Sequence, residues 1–127
     1  MAGPGGHGVV HIPWYATVFR GDKFEAALAE IAPIALRYGA RSYQVFRYRD
    51  DRYKFLQTAE FEDKFEFERY WYGPEFQDFR IVCSSWYQVP VVYGWTDLVI
   101  AGTLEPEPLV HRAAGDVGAE AGGDLAG

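Results

Sequence analysis

Residues 61–88 read FEDKFEFERYWYGPEFQDFRIVCSSWYQ, and the fold turns on how this stretch is parsed. Asp63 with Glu66 three residues on forms a capping box, in which each side chain satisfies a backbone amide that the first helical turn leaves without a partner. Gly73-Pro74 then ends one helix and opens another, because glycine tolerates the positive φ of a helix C-terminus and proline suits the first position of a new helix. Phe67, Tyr70 and Trp71 share one helical face, and Phe76, Phe79 and Cys83 share the next. The stretch predicts two consecutive helices that turn a wall of rings toward a core.

Upstream of it, Ser42–Arg49 alternates Tyr43, Val45 and Arg47 against Gln44, Phe46 and Tyr48, and the polar turn Asp50-Asp51-Arg52 returns the chain into Tyr53–Phe61. The two runs read as a hairpin. From His11 to Phe19 both alternating faces carry bulk: Ile12, Trp14, Ala16 and Val18 on one, His11, Tyr15, Thr17 and Phe19 on the other. Such a strand is expected to be covered on both sides. Asp22 with Glu25 repeats the capping-box pattern before a helix whose apolar stripe is Phe24, Ala27, Leu28, Ile31, Ile34 or Ala35, and Tyr38. Gly39 is its natural stop, and Pro33 predicts a kink or break near Ala32, since an interior proline costs about 3 kcal/mol of helix stability. Downstream, Val89–Ile100 is the last expected strand, with Pro90 tolerated at its front and Tyr93, Trp95 and Asp97 on one face.

The order is β-α-β-β-α-β. It predicts an α+β, ferredoxin-like fold: a four-stranded antiparallel sheet with its helices on one face. The domain is expected over residues 9–102, behind a flexible leader at 1–8 and ahead of a disordered acidic tail at 103–127, where Gly, Ala, Glu and Pro dominate. Helices on one face leave the other bare, and its large side chains form a patch that a soluble monomer does not usually expose. A homodimer follows, with two sheets facing each other around an enclosed space.

The formal charge of -6 and a pI near 5.0 argue against nucleic acid as a partner. Cys83 is the single cysteine among 127 residues, so neither an intrachain disulfide nor a thiolate metal cluster is possible, which suits the cytoplasm. The opening MAGPGGHGVV has neither a basic start nor a long apolar run, so no secretion signal is expected there. No segment carries the roughly 18 uninterrupted apolar residues that a membrane span needs.

The run GARSYQVFRYRDDRYKFLQTAEFEDKFEFERYWYGPEF, residues 39–76, resembles the dimeric α+β-barrel superfamily that includes antibiotic-biosynthesis and haem-degrading monooxygenases. It has their succession of Gly, strand, turn, strand, Glu-aromatic, helix and small-Pro-Glu-Phe. With the outer strands the likeness covers residues 9–102. The resemblance implies a dimeric α+β barrel and a cofactor-independent, monooxygenase-like activity. In the haem-degrading members a histidine holds the iron one helical turn after that last element. The matching position here is Arg80, which cannot ligate iron, so haem degradation is disfavoured and no cofactor is expected. The tryptophan those members set against the haem falls near Tyr70, and the asparagine used by quinol-oxidising members has no counterpart, because the chain contains no Asn.

Two functional readings follow from the rings Tyr15, Tyr43, Phe46, Tyr70, Trp71, Trp86, Tyr87, Tyr93 and Trp95. In one they line a barrel cavity for a small aromatic or apolar molecule, with Tyr15, Trp71, Trp86, Tyr87, Tyr93 and Trp95 as the ligand-binding set. His11, Asp97 and Tyr70 are then the catalytic candidates of a monooxygenase-like or isomerising enzyme: a histidine titrates near working pH, and a carboxylate among rings has its pKa raised and can take a proton from a phenol. In the other, the rings are core and partner surface of a non-catalytic assembly protein whose tail docks on a second protein. Arg69 and Arg80 can hold a ligand carboxylate or pair on the surface with Glu66 or Asp78. Cys83 reads as a small buried hydrophobe, and no metal site is expected.

Overall fold

Along β1 (Gly8–Tyr15) every second side chain, Val10, Ile12 and Trp14, is buried, while Pro13 and Tyr15 face outward. β1 is flanked by β3 (Lys54–Phe61) and β4 (Gly94–Thr96), and β2 (Ser42–Arg47) adds to the far side of β3, all antiparallel, in the order β2-β3-β1-β4. That is the ferredoxin-like order, and it fixes the faces. Register places Trp14 opposite Phe55, Ile12 opposite Gln57, and Val10 opposite both Ala59 and Trp95, so these residues share the covered face. The structure, a computed structural model, describes residues 7–104. The expected acidic tail lies outside the described residues apart from Thr103 and Leu104. The expected leader does as well, apart from His7, which meets the Glu60 carboxylate at 2.6 Å, and Gly8, the first residue of β1.

Three helices cover that one face: α1 (Gly21–Ile31), α2 (Lys64–Trp71) and α3 (Pro74–Val82). A 3-10 segment, Ala32–Tyr38, carries Pro33 in its first turn, so the proline ends the α-helix at Ile31 as expected. Gly39 closes the segment in the left-handed region, at φ 102°. At α2, Asp63 accepts the Glu66 amide at 2.9 Å, but the Glu66 carboxylate reaches back to the amide of Glu62 instead of Asp63. Gly73 departs from its expected role. Its φ is -71°, and it caps the start of α3, where an added Cβ would lie 2.6 Å from the Tyr38 hydroxyl and 2.8 Å from the Arg69 carbonyl. The requirement for glycine is close approach, not a left-handed turn.

Other expectations are corrected. β1 stops at Tyr15, and a turn follows in which Phe19 has φ 66° and is 87% exposed, so Val18 and Phe19 are not strand residues. β2 stops at Arg47, and β4 is three residues long, not twelve; the segments on either side of it are irregular. Asp22 and Glu25 do not cap α1. Both carboxylates instead take Nη1 of Arg47 at 2.8 Å, while its Nε donates to the Arg52 carbonyl at 2.7 Å and its plane lies 5.0 Å from the Phe55 ring. Long-range charge pairing overrides local capping here and ties the start of α1 to the hairpin.

Trp14 is the hub of the core. Its ring centroid lies 5.0–6.3 Å from those of Phe24, Trp71, Phe76, Phe79 and Tyr87. Such pairs add about 0.5–1.5 kcal/mol each beyond the area they bury. The indole N–H donates to Gln57 Oε1 at 3.0 Å, Gln57 Nε2 donates to the Tyr70 hydroxyl at 3.2 Å, and that hydroxyl donates to the Ile31 carbonyl at 2.6 Å. Each polar group in this buried chain has a partner. The acceptor at its end is the carbonyl of Ile31, the last residue of α1.

Candidate functional site

The face without helices is built from the other half of each strand: Val9 and His11 of β1, Gln44 and Phe46 of β2, Leu56 and Thr58 of β3, and Thr96 of β4. Asp97, Leu98, Val99 and Ile100, the residues after β4, add a further wall. Together they border an open cleft of about 550 Å³, within the roughly 300–1,000 Å³ that small-molecule sites occupy. Most of the wall is apolar, with His11, Gln44, Thr58, Thr96 and Asp97 as its polar groups. At the hairpin end of the same face the Tyr15 hydroxyl donates to Asp51 at 2.7 Å, and this bond raises the phenol's pKa.

Of the catalytic candidates, this cleft brings His11 and Asp97 together. Asp97 lies one residue past β4 and is exposed, so it is not enclosed among rings as its strand position predicted. Tyr70 is on the other side of the sheet. It is 1% exposed within the core network, and desolvation raises its pKa far above the ordinary tyrosine value.

The expected ligand-binding set is divided in the same way. Trp71 and Tyr87 are core residues, and Tyr93 and Trp95 pack on Phe67 at 4.7 and 6.4 Å between centroids. Trp86 sits half-buried under the Lys23 ammonium at 4.6 Å. Only Tyr15 points to the open face, joined there by Phe46. Gln44, Leu56 and Thr58 were not singled out by sequence. The signal was the alternation of the hairpin, which defines two faces without saying which one the helices cover.

On the helical side Arg80 lies over Trp71 at 4.3 Å and Phe76 at 5.1 Å, and desolvation lowers its pKa. It does not pair with Asp78 among the described residues, and its Nη1 is buried without a hydrogen-bond partner. Cys83 is buried, and desolvation raises its thiol pKa, which fits the inert role expected of it. No group of three or more His, Cys, Asp or Glu side chains among the described residues is arranged to hold a metal, and none of the described helices is long and apolar enough to cross a membrane.

With this geometry the chain has the ferredoxin-like α+β fold seen in structures of antibiotic biosynthesis monooxygenases. By sequence it matches no protein-family model and no curated protein. By structure it is similar to a candidate antibiotic biosynthesis monooxygenase from Nitrosomonas europaea, with a TM-score of 0.68 at 12% identity over 78% of this chain and 96% of that one. A candidate of the same description from Caulobacter crescentus gives 0.67 at 13% identity over 76% and 93%. An asparagine-to-alanine mutant of SnoaB, a cofactor-independent oxygenase from Streptomyces nogalater, gives 0.61 at 19% identity over 80% and 98%. At such identities the likeness is one of fold.

Proposed function

We propose that the chain is one subunit of a homodimer paired through the open face of its sheet, and that the cleft on this face binds a small, largely apolar aromatic molecule. One observation carries the reading: the helices cover a single face, and the other holds a cleft of ligand size with apolar walls and a few polar groups. Tyr15, Phe46, Leu98, Val99 and Ile100 are all exposed around it, an apolar surface of the kind a second copy covers. The enzymatic form of the reading is monooxygenase-like and begins with a proton. His11 and Asp97 both line the cleft, and each can accept one from a phenolic ligand, which turns the ring into an electron-rich anion. The cytoplasm suits a chain whose lone cysteine is buried and unpaired.

Native mass spectrometry of freshly isolated protein tests both parts, since it reports subunit number and any carried molecule. A dimer is expected, retaining an aromatic compound that His11→Ala/Asp97→Ala releases. In sedimentation, Phe46→Asp is expected to run as a folded monomer. A wild-type chain that stays monomeric at about 10 μM, well above the Kd of a stable dimer, removes the pairing.

A further inference from the structure

A second concave surface lies on the opposite side of the molecule, between α1 with its 3-10 extension and α3. The first wall is Ala27, Glu30, Ile31 and Ile34; the second is Glu75, Asp78, Phe79 and Val82. Each wall steps by three, one and three residues, the spacing that aligns side chains in a stripe along a helix. Two such stripes side by side make a trough whose floor, Ile31 and Phe79, is almost wholly buried, whose accessible apolar walls are Ala27, Ile34 and Val82, and whose rim is acidic, with Glu30, Glu75 and Asp78. Its volume is about 310 Å³.

The rim charges are only weakly compensated, by the Arg37 guanidinium acting on Glu75. Among the described residues none of the three carboxylates forms a salt bridge. Glu75 accepts the Tyr38 hydroxyl at 2.6 Å, a bond that favours its ionised form. The nearby Lys23 ammonium is placed over the Trp86 ring. Val82 is 60% exposed at the end of the trough, and its neighbour Ile81 is 73% exposed. Apolar walls beside negative edges that form no salt bridge, on an acidic chain, are complementary to one kind of surface, an apolar stripe flanked by cations.

We infer that the α1–α3 trough is a docking surface for an amphipathic helix of another protein, one that lays leucine-type side chains between Ile34 and Val82 and sets arginine or lysine against Glu30, Glu75 and Asp78. The apolar stripe supplies the contact area, and the charges set orientation and speed the encounter. The surface lies on the helical side and shares no residue with the cleft on the open sheet, so docking here does not obstruct a ligand there.

The probe is a synthetic helix with leucine on one face and arginine on its flanks, together with a counterpart carrying glutamate for every arginine, each titrated into the full chain and followed by amide NMR. The arginine helix is expected to shift Ala27, Ile31, Phe79 and Val82, with affinity falling at least tenfold between about 50 and 500 mM salt as the pairs are screened. Glu30→Lys/Asp78→Lys alters exposed side chains only. It should weaken the arginine helix by about tenfold or more and transfer binding to the glutamate helix. Four results would overturn the inference: shifts confined to the Phe46 and Leu56 face, equal binding of both helices, indifference to the charge reversal, or a peptide-free dimer that already protects α1 and α3 from hydrogen exchange.

Discussion

Replacing Tyr70 with phenylalanine removes one oxygen atom from the middle of the core. That oxygen donates to the Ile31 carbonyl at 2.6 Å and accepts from Gln57 Nε2 at 3.2 Å, and Gln57 is fully buried. The carbonyl loses a bond whose net worth is about 1 kcal/mol, and the Gln57 amide becomes a buried donor without a partner, at a cost of about 1–3 kcal/mol. The expected loss is about 2–4 kcal/mol, read as a lower urea midpoint with an unchanged slope. Gln57→Leu is also destabilising, because it strands the Trp14 indole N–H. In the double variant, however, the donor that Tyr70→Phe exposes is already gone, so the two costs should fall short of their sum by about 1–2 kcal/mol. Burial holds the Tyr70 phenol above its ordinary value of 10.0, so the fold favours the protonated ring. The stabilisation is therefore complete below about pH 10 and declines as the pH rises above it, and Tyr70→Phe should flatten that alkaline decline. A loss under about 0.5 kcal/mol, within the range of ordinary surface changes, or strict additivity with Gln57→Leu would refute the network as a structural device.

Arg47→Ala should destabilise the fold by about 1–2 kcal/mol in the same urea assay. Arg47→Lys should restore only part of it, since one ammonium cannot reach Asp22, Glu25 and the Arg52 carbonyl at once while lying on Phe55. Gly73→Ala drives a methyl against the Tyr38 hydroxyl and the Arg69 carbonyl and should lower thermal stability, by about 1–3 kcal/mol as overpacking does. Cys83, with its thiol pKa raised by burial, should resist a thiol reagent in native protein at neutral pH and react promptly in denaturant; fast native labelling would contradict its placement.

Signals confined to a few neighbouring residues were legible in the sequence. The hairpin, the break at Pro33, the stop at Gly39 and the start of α3 at Pro74 all follow from local backbone chemistry, and together they were enough to order the elements. What the chain does across its own folds was not legible. Asp22 and Glu25 look like caps until Arg47 arrives from a strand more than twenty residues away and takes both. The long alternation from Val89 to Ile100 looks like a strand, yet only Gly94–Thr96 finds neighbours, on the outer edge of β1. The site was half legible for the same reason. Alternation separates His11 from Trp14, but nothing local says that the wall of rings would face the Trp14 side, and so the ring candidates other than Tyr15 were grouped with a histidine that lies across the sheet from them.

The alternation along β1 has a genetic corollary. Even-numbered positions there feed the interior and odd-numbered ones the open face, so a codon inserted just after Val10, with Val10 held in register, would exchange the two sets beyond it, pushing His11 among the rings and Trp14 out into water. Substitutions at odd positions, in contrast, leave the rings around Trp14 in place. Through this strand a lineage can rewrite the open face one letter at a time, provided it never changes the count.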